Sequence, residues 1–94
     1  MAVEWSDSAE KHYPIADGLH ALRNRALFVE RFDVNPDGGE VVDLVIGPAR
    51  DGRMLELFIL RRDPRTVYLF HVLHLRPMTW RRVQDIIQAR KEKP

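Results

Sequence analysis

The stretch RMLELFILRRDPRTVYLFHVLHLR, residues 53–76, holds two apolar runs joined by the short link Asp63-Pro64-Arg65. Both runs are rich in aliphatic and aromatic side chains that suit a pleated, half-buried surface. A link this short cannot make a crossover, so the two strands must pair antiparallel. The first run is nearly apolar on both faces, which predicts a central place in the sheet. Pro77 ends the second, because a proline cannot donate to the ladder.

Reading outward, LFVERFDV at 27–34 is a strand closed by NPDGG at 35–39, a cluster of turn formers, and EVVDLVI at 40–46 is the next. The loop GPARDG at 47–52 carries Asp51-Gly52 as its turn signal and leads back to the opening stretch. On the N-terminal side, SDSAEKHY at 6–13 places Glu10 three residues after Asp7, the capping-box spacing, and Pro14 stops it. This predicts a first helix. Asp17 is then expected to cap a second, GLHALRN, with Leu19, Leu22 and Ala26 as its apolar stripe. Beyond Pro77, Thr79 is expected to cap a helix from 80 to about 91 whose Trp80, Val83, Ile86 and Ile87 share a face. The predicted class is α+β: a four-stranded antiparallel meander with two N-terminal helices and one C-terminal helix.

Ninety-four residues suit one domain spanning 1–94. There is no cysteine, so neither disulfides nor thiolate metal sites can supplement the core. The charged N-terminal run MAVEWSDSAEKH does not look like a signal peptide, and no segment approaches the roughly 20 apolar residues of a membrane span. A cytoplasmic protein without a membrane association is the expectation. The net charge is +1, but residues 1–60 carry six Lys or Arg against eleven Asp or Glu, whereas 61–94 carry nine against three. The basic C-terminal third could attract an anionic partner such as RNA, dock an acidic protein, or serve solubility alone.

The segment VIGPARDGRMLELFILRRDPRTVYLFHVLHLRP, residues 45–77, resembles the BrnT family of toxins from bacterial type II toxin–antitoxin systems. Gly52-Arg53 matches that family's Gly-Arg pair, Arg61 or Arg62 its strand-ending arginine, and Arg76 its last arginine. His71 stands where the first arginine of the closing segment is expected. Trp5 matches an early tryptophan, and Lys11, His12 and Ile15 match part of a Lys-His-Gly-Ile segment in which Tyr13-Pro14 replaces the glycine. The final helix is shorter than the family's. The resemblance implies a RelE-like fold, metal-independent endoribonuclease activity that inhibits translation, no cofactor, and a cognate antitoxin whose dimer would hold two toxins in a heterotetramer.

The residues permit such chemistry. Cleaving RNA without a metal needs a base for the ribose 2′-hydroxyl, cationic donors for the phosphorane and an acid for the leaving 5′-oxygen. Imidazole, with an ordinary pKa of about 6.5, can give or take the proton. Guanidinium offers a planar fork to phosphate oxygens, and a preorganised donor of this kind is typically worth about 3–4 kcal/mol. Candidate catalytic residues are His71, His74, Arg76, Arg62 and Arg61; candidate RNA contacts are Arg53, Lys11, His12, Arg81 and Arg82. Strict strand alternation sets Tyr68, Phe70, His74 and Arg76 on one face and His71 on the other, unless a bulge or the strand end turns the chain. His71 and His74 therefore cannot chelate one metal ion together.

Each candidate also has a purely structural reading. His71 would be a satisfied core histidine, His74 a strand-end residue, Arg53 a stem covering apolar surface, and the remaining cations a solvated face. Tyr68 and Phe70 among arginines could stack on single-stranded RNA without cutting it. The competing function is thus a catalytically inert RNA- or protein-binding module on the same scaffold.

Overall fold

A computed structural model describes residues 2–34 and 38–92. The elements are β1 (Ala2–Trp5), a 3-10 turn (Asp7–Glu10), α1 (Ile15–Arg23), β2 (Leu27–Val34), β3 (Val41–Pro48), β4 (Met54–Asp63), β5 (Thr66–His74) and α2 (Pro77–Glu92). They form a five-stranded mixed sheet ordered β1-β5-β4-β3-β2. The antiparallel meander of β2 to β5 is as expected, with β4 at its centre, and the class is α+β. The turn formers Asn35, Pro36 and Asp37 lie outside the described residues.

The N-terminus departs from expectation. No helix forms over 6–13: Ser6 is extended and caps nothing, and only the short turn Asp7–Glu10 follows. The preceding four residues instead run parallel to β5, with Val3 opposite Val67 and Trp5 opposite Leu69. A helix over 6–13 would be only about two turns, marginal alone in water, and the Ser6 N–H and the Ser8 hydroxyl instead donate to the Leu69 and Phe70 carbonyls of β5. Lys11 and His12 accordingly sit in exposed bends. The second helix starts at Ile15, after Pro14, so Asp17 lies inside its first turn. Its carboxylate accepts from the Arg50 backbone N–H at 3.1 Å and from Nε at 2.8 Å. The C-terminal helix also starts early, at Pro77, where a proline's fixed φ and missing N–H cost nothing.

Each face of the sheet carries its own core. On one, Ala21 and Leu22 of α1 pack with Val45, Leu55, Leu57, Leu69 and Val72. On the other, Val83 of α2 is buried with Val29, Phe32, Leu44 and Ile46, with Ile86, Ile87, Phe58 and Leu75 packed against them. Trp80, expected on that helix's apolar stripe, is 43% exposed. None of the helices among the described residues is long and apolar enough to cross a membrane.

Three bulges break the strict alternation. On β5 the extra residue is Phe70, between Leu69 paired with Ile59 and His71 paired with Phe58. The Ser8 hydroxyl donates to the Phe70 carbonyl at 2.7 Å. On β4 the extra residue is Arg62, between Arg61 paired with Val67 and Asp63 paired with Thr66. On β2 the irregularity contains Arg31, at φ 55°, whose N–H donates to the buried Asp43 carboxylate at 2.9 Å.

The α1 helix can approach β3 because position 47 has no side chain. A Cβ there would sit 2.9 Å from the Ala21 carbonyl carbon and nearer still to its oxygen, both backbone atoms. Gly47→Ala is therefore expected to lose about 2 kcal/mol or more, as overpacking does. Gly38→Ala, whose nearest neighbour would be a flexible Glu40 side chain at 3.5 Å, should stay within about 0.5 kcal/mol of the parent. Urea unfolding of the two variants checks this.

Candidate active site

The bulge at Phe70 decides which side chains meet. Beyond it, His71 shares the α2 face with Phe58, while Val72 and His74 pair with Leu57 and Leu55 on the α1 face. Strict alternation puts His71 and Arg76 on opposite sides; the bulge turns His71 to the Glu56 face, and the end of β5 at His74 frees the chain to bring Arg76 to the same carboxylate. The bulge leaves His74 opposite, apart from both.

At the centre of this group is Glu56, a carboxylate in the middle of an otherwise apolar strand and 0% exposed. His71 Nε2 lies 3.0 Å from Oε2. Arg76 donates from Nη2 to Oε2 at 2.8 Å, from Nε to both oxygens at 3.2 and 3.1 Å, and from its backbone N–H to Oε1 at 2.9 Å. Thr79, itself buried in the first turn of α2, adds a further hydrogen bond. Glu56 thus ties β4 to β5 and to the start of α2. Burial pushes its carboxyl up, but bonds from His71, from the Arg76 side chain and backbone, and from Thr79 outweigh it and hold the pKa at about 2.

An ionised carboxylate can only accept, so the hydrogen of the neutral imidazole must sit on Nε2. Nδ1 then carries the free lone pair. The ring is stacked on Phe58 with centroids 4.3 Å apart and planes 19° apart, which fixes its tilt. The side chains of His71 and Arg76 remain 26% and 32% exposed, and among the described residues nothing bonds Arg76 Nη1. The cluster presents a proton acceptor of fixed tautomer beside a guanidinium held by its carboxylate-facing edge.

The other candidates lie elsewhere. Arg61 donates from Nε to the buried Asp43 carboxylate at 2.7 Å and reaches Glu30 at 3.3 Å; Asp43 pairs with Ile59, on the α1 face. Arg62 lies over the Tyr68 ring, 4.3 Å from its centroid. Arg53 pairs with Asp51 at 2.8 Å and lies 5.7 Å from the Tyr13 ring, which packs on the α1-side core. Arg82 covers Phe32 and donates to its carbonyl at 2.9 Å, over β2. Arg81 is exposed on α2. Among the described residues no three metal-ligating side chains gather.

Sequence reasoning passes over Glu56 and Asp43. The available signal was a lone carboxylate inside each apolar run, since a charge buried there is tolerable only with partners. Which partners it finds depends on bulges and on where the neighbouring strand ends, which no motif around the carboxylate announces.

Because the Glu56 pKa falls from 4.5 to about 2 on folding, its ionised form favours the folded state. The contribution is fully present above about pH 5 and is lost as pH falls towards 2, amounting to about 3 kcal/mol. Urea melts between pH 7 and pH 2.5 should show this acid limb, and Glu56→Gln should flatten it while lowering stability at neutral pH.

Compared with known proteins, the chain matches no family model, no curated protein and no solved structure.

Proposed function

We propose that this chain is a BrnT-like toxin on a RelE-type scaffold, a metal-independent endoribonuclease held silent by a cognate antitoxin. The observation that supports it most is the joining of His71 and Arg76 through Glu56 on a half-open sheet face. A need for stability alone explains this poorly, since a buried ion pair is seldom more stabilising than well-packed apolar residues of the same volume. The basic C-terminal third of the sequence and the resemblance across residues 45–77 agree with RNA as substrate and inhibition of translation as outcome.

In this reading His71 Nδ1 takes the proton of the 2′-hydroxyl, and O2′ attacks the adjacent phosphorus. The P–O5′ bond breaks and O5′ takes a proton from water, leaving a 2′,3′-cyclic phosphate and a 5′-hydroxyl. Arg76 Nη1 meets the negative charge that builds on the phosphoryl oxygens. Glu56 is a positioning residue: it holds both groups and touches no substrate. His74, Arg61 and Arg53 take no part in the chemistry. Lys11, His12, Arg81 and Arg82 are left as surface contacts for RNA, and in the complex an antitoxin dimer would carry two copies of this chain as a heterotetramer.

A second reading, a non-cleaving RNA- or protein-binding module, is favoured by one observation. His71 and Arg76 both spend their best donors on Glu56, as purely structural residues would.

A labelled single-stranded RNA incubated with the purified chain in excess EDTA separates the two. The proposal expects cleavage to 2′,3′-cyclic phosphate ends, and a rate at least about 100-fold lower for His71→Ala, the usual scale for removing a general base. Arg76→Lys, which keeps a charge for Glu56 but not the planar fork, should cost about as much. Undiminished cleavage by both variants, with wild-type unfolding curves, would remove the site.

A further inference from the structure

Two flat polar groups on the α2 face lie on aromatic rings: Arg62 over Tyr68 and His71 over Phe58. Phe70 lies between them along β5, with its centroid 6.2 Å from that of Phe58. The core partners of α2 are on β2, β3 and the adjoining part of β4. The helix therefore leaves β5 uncovered, and Tyr68, Phe70, His71 and Leu73 are all half-buried. This strip runs from Tyr68 towards the Glu56 cluster. At about 3.3 Å per residue, Tyr68 and His71 are at most about 10 Å apart along the strand, the reach of one or two nucleotides. Arg62 and Arg76 bound the strip with positive charge; Glu4, opposite Tyr68 on β1, marks its outer limit.

We infer that the Arg62–Tyr68 stack, with Phe70 beside it, seats an unpaired nucleobase next to the phosphate handled by His71 and Arg76. The substrate class is then single-stranded RNA. A base stacks on the outer plane of the guanidinium, which the tyrosine ring holds flat from below. A duplex, with its bases already stacked on one another, has no free face to offer. This rests on the ribonuclease reading for the identity of its ligand, but binding and cleavage are measured separately.

The test uses a fluorescein-labelled 2′-O-methyl RNA 12-mer, which lacks the hydroxyl needed for cleavage, with binding followed by anisotropy. The wild-type chain should bind the single strand at least about tenfold more tightly than the matching duplex. Tyr68→Ala should weaken single-strand binding about tenfold or more, the usual effect of losing one stacked aromatic, and Tyr68→Phe should retain it. Because Tyr68 is half-buried, Arg62→Lys serves as the variant without folding risk: Arg62 is exposed, its charge is kept and only the plane is lost, so a severalfold loss is expected. Equal affinity for duplex and single strand, wild-type affinity in Tyr68→Ala and Arg62→Lys alike, or no binding by the wild type would each overturn the inference. Binding that follows this pattern without cleavage of unmodified RNA would overturn the ribonuclease reading alone. Cleavage whose KM ignores both variants would do the reverse.

Discussion

A single buried charge organises this molecule. Glu56 sits in the central strand with no exposure, where an unpaired carboxylate would cost several kcal/mol. Its partners come from β5, from the residue preceding α2 and from the first turn of α2 itself. The helix packs its apolar residues on one part of the sheet face because its start is anchored there, and β5 stays open beside it. The charged cluster and the uncovered strand are thus two consequences of one placement.

The bulge at Phe70 is the second requirement. Without the extra residue, His71 would face the core under α1 and His74 would take its place, at the strand end. The carbonyl of the extra residue accepts from the Ser8 hydroxyl of the 3-10 turn. The N-terminal segment therefore does more than extend the sheet. By lying against β5 it supports the irregularity that turns an imidazole towards Glu56.

Much of the meander was legible because two independent signals agreed along it: alternation of apolar residues and turn chemistry such as Asp51-Gly52. The N-terminus was misread for an equally physical reason. Asp7 and Glu10 have capping-box spacing, yet the segment is too short to hold a helix without tertiary support, and its Ser6 and Ser8 are taken up by carbonyls of β5. For the site, sequence pointed to His71 and Arg76 through a family resemblance, while strict strand parity argued that they diverge. Parity failed for two reasons: the bulge that turns His71 is settled by how β4 and β5 pair rather than by either strand alone, and β5 ends at His74, so alternation no longer governs Arg76. Glu56 escaped notice since an apolar run with one carboxylate reads as a central strand, and only its neighbours reveal why the charge is there.

The central claim is that Glu56 fixes the imidazole of His71 with its proton on Nε2 and its lone pair on Nδ1. Long-range 1H–15N correlation spectra of the neutral histidine rings measure this directly. The account predicts a single Nε2–H tautomer for His71 that becomes mixed in Glu56→Gln. A proton on Nδ1, or a tautomer mixture already present in the wild-type chain, would contradict it.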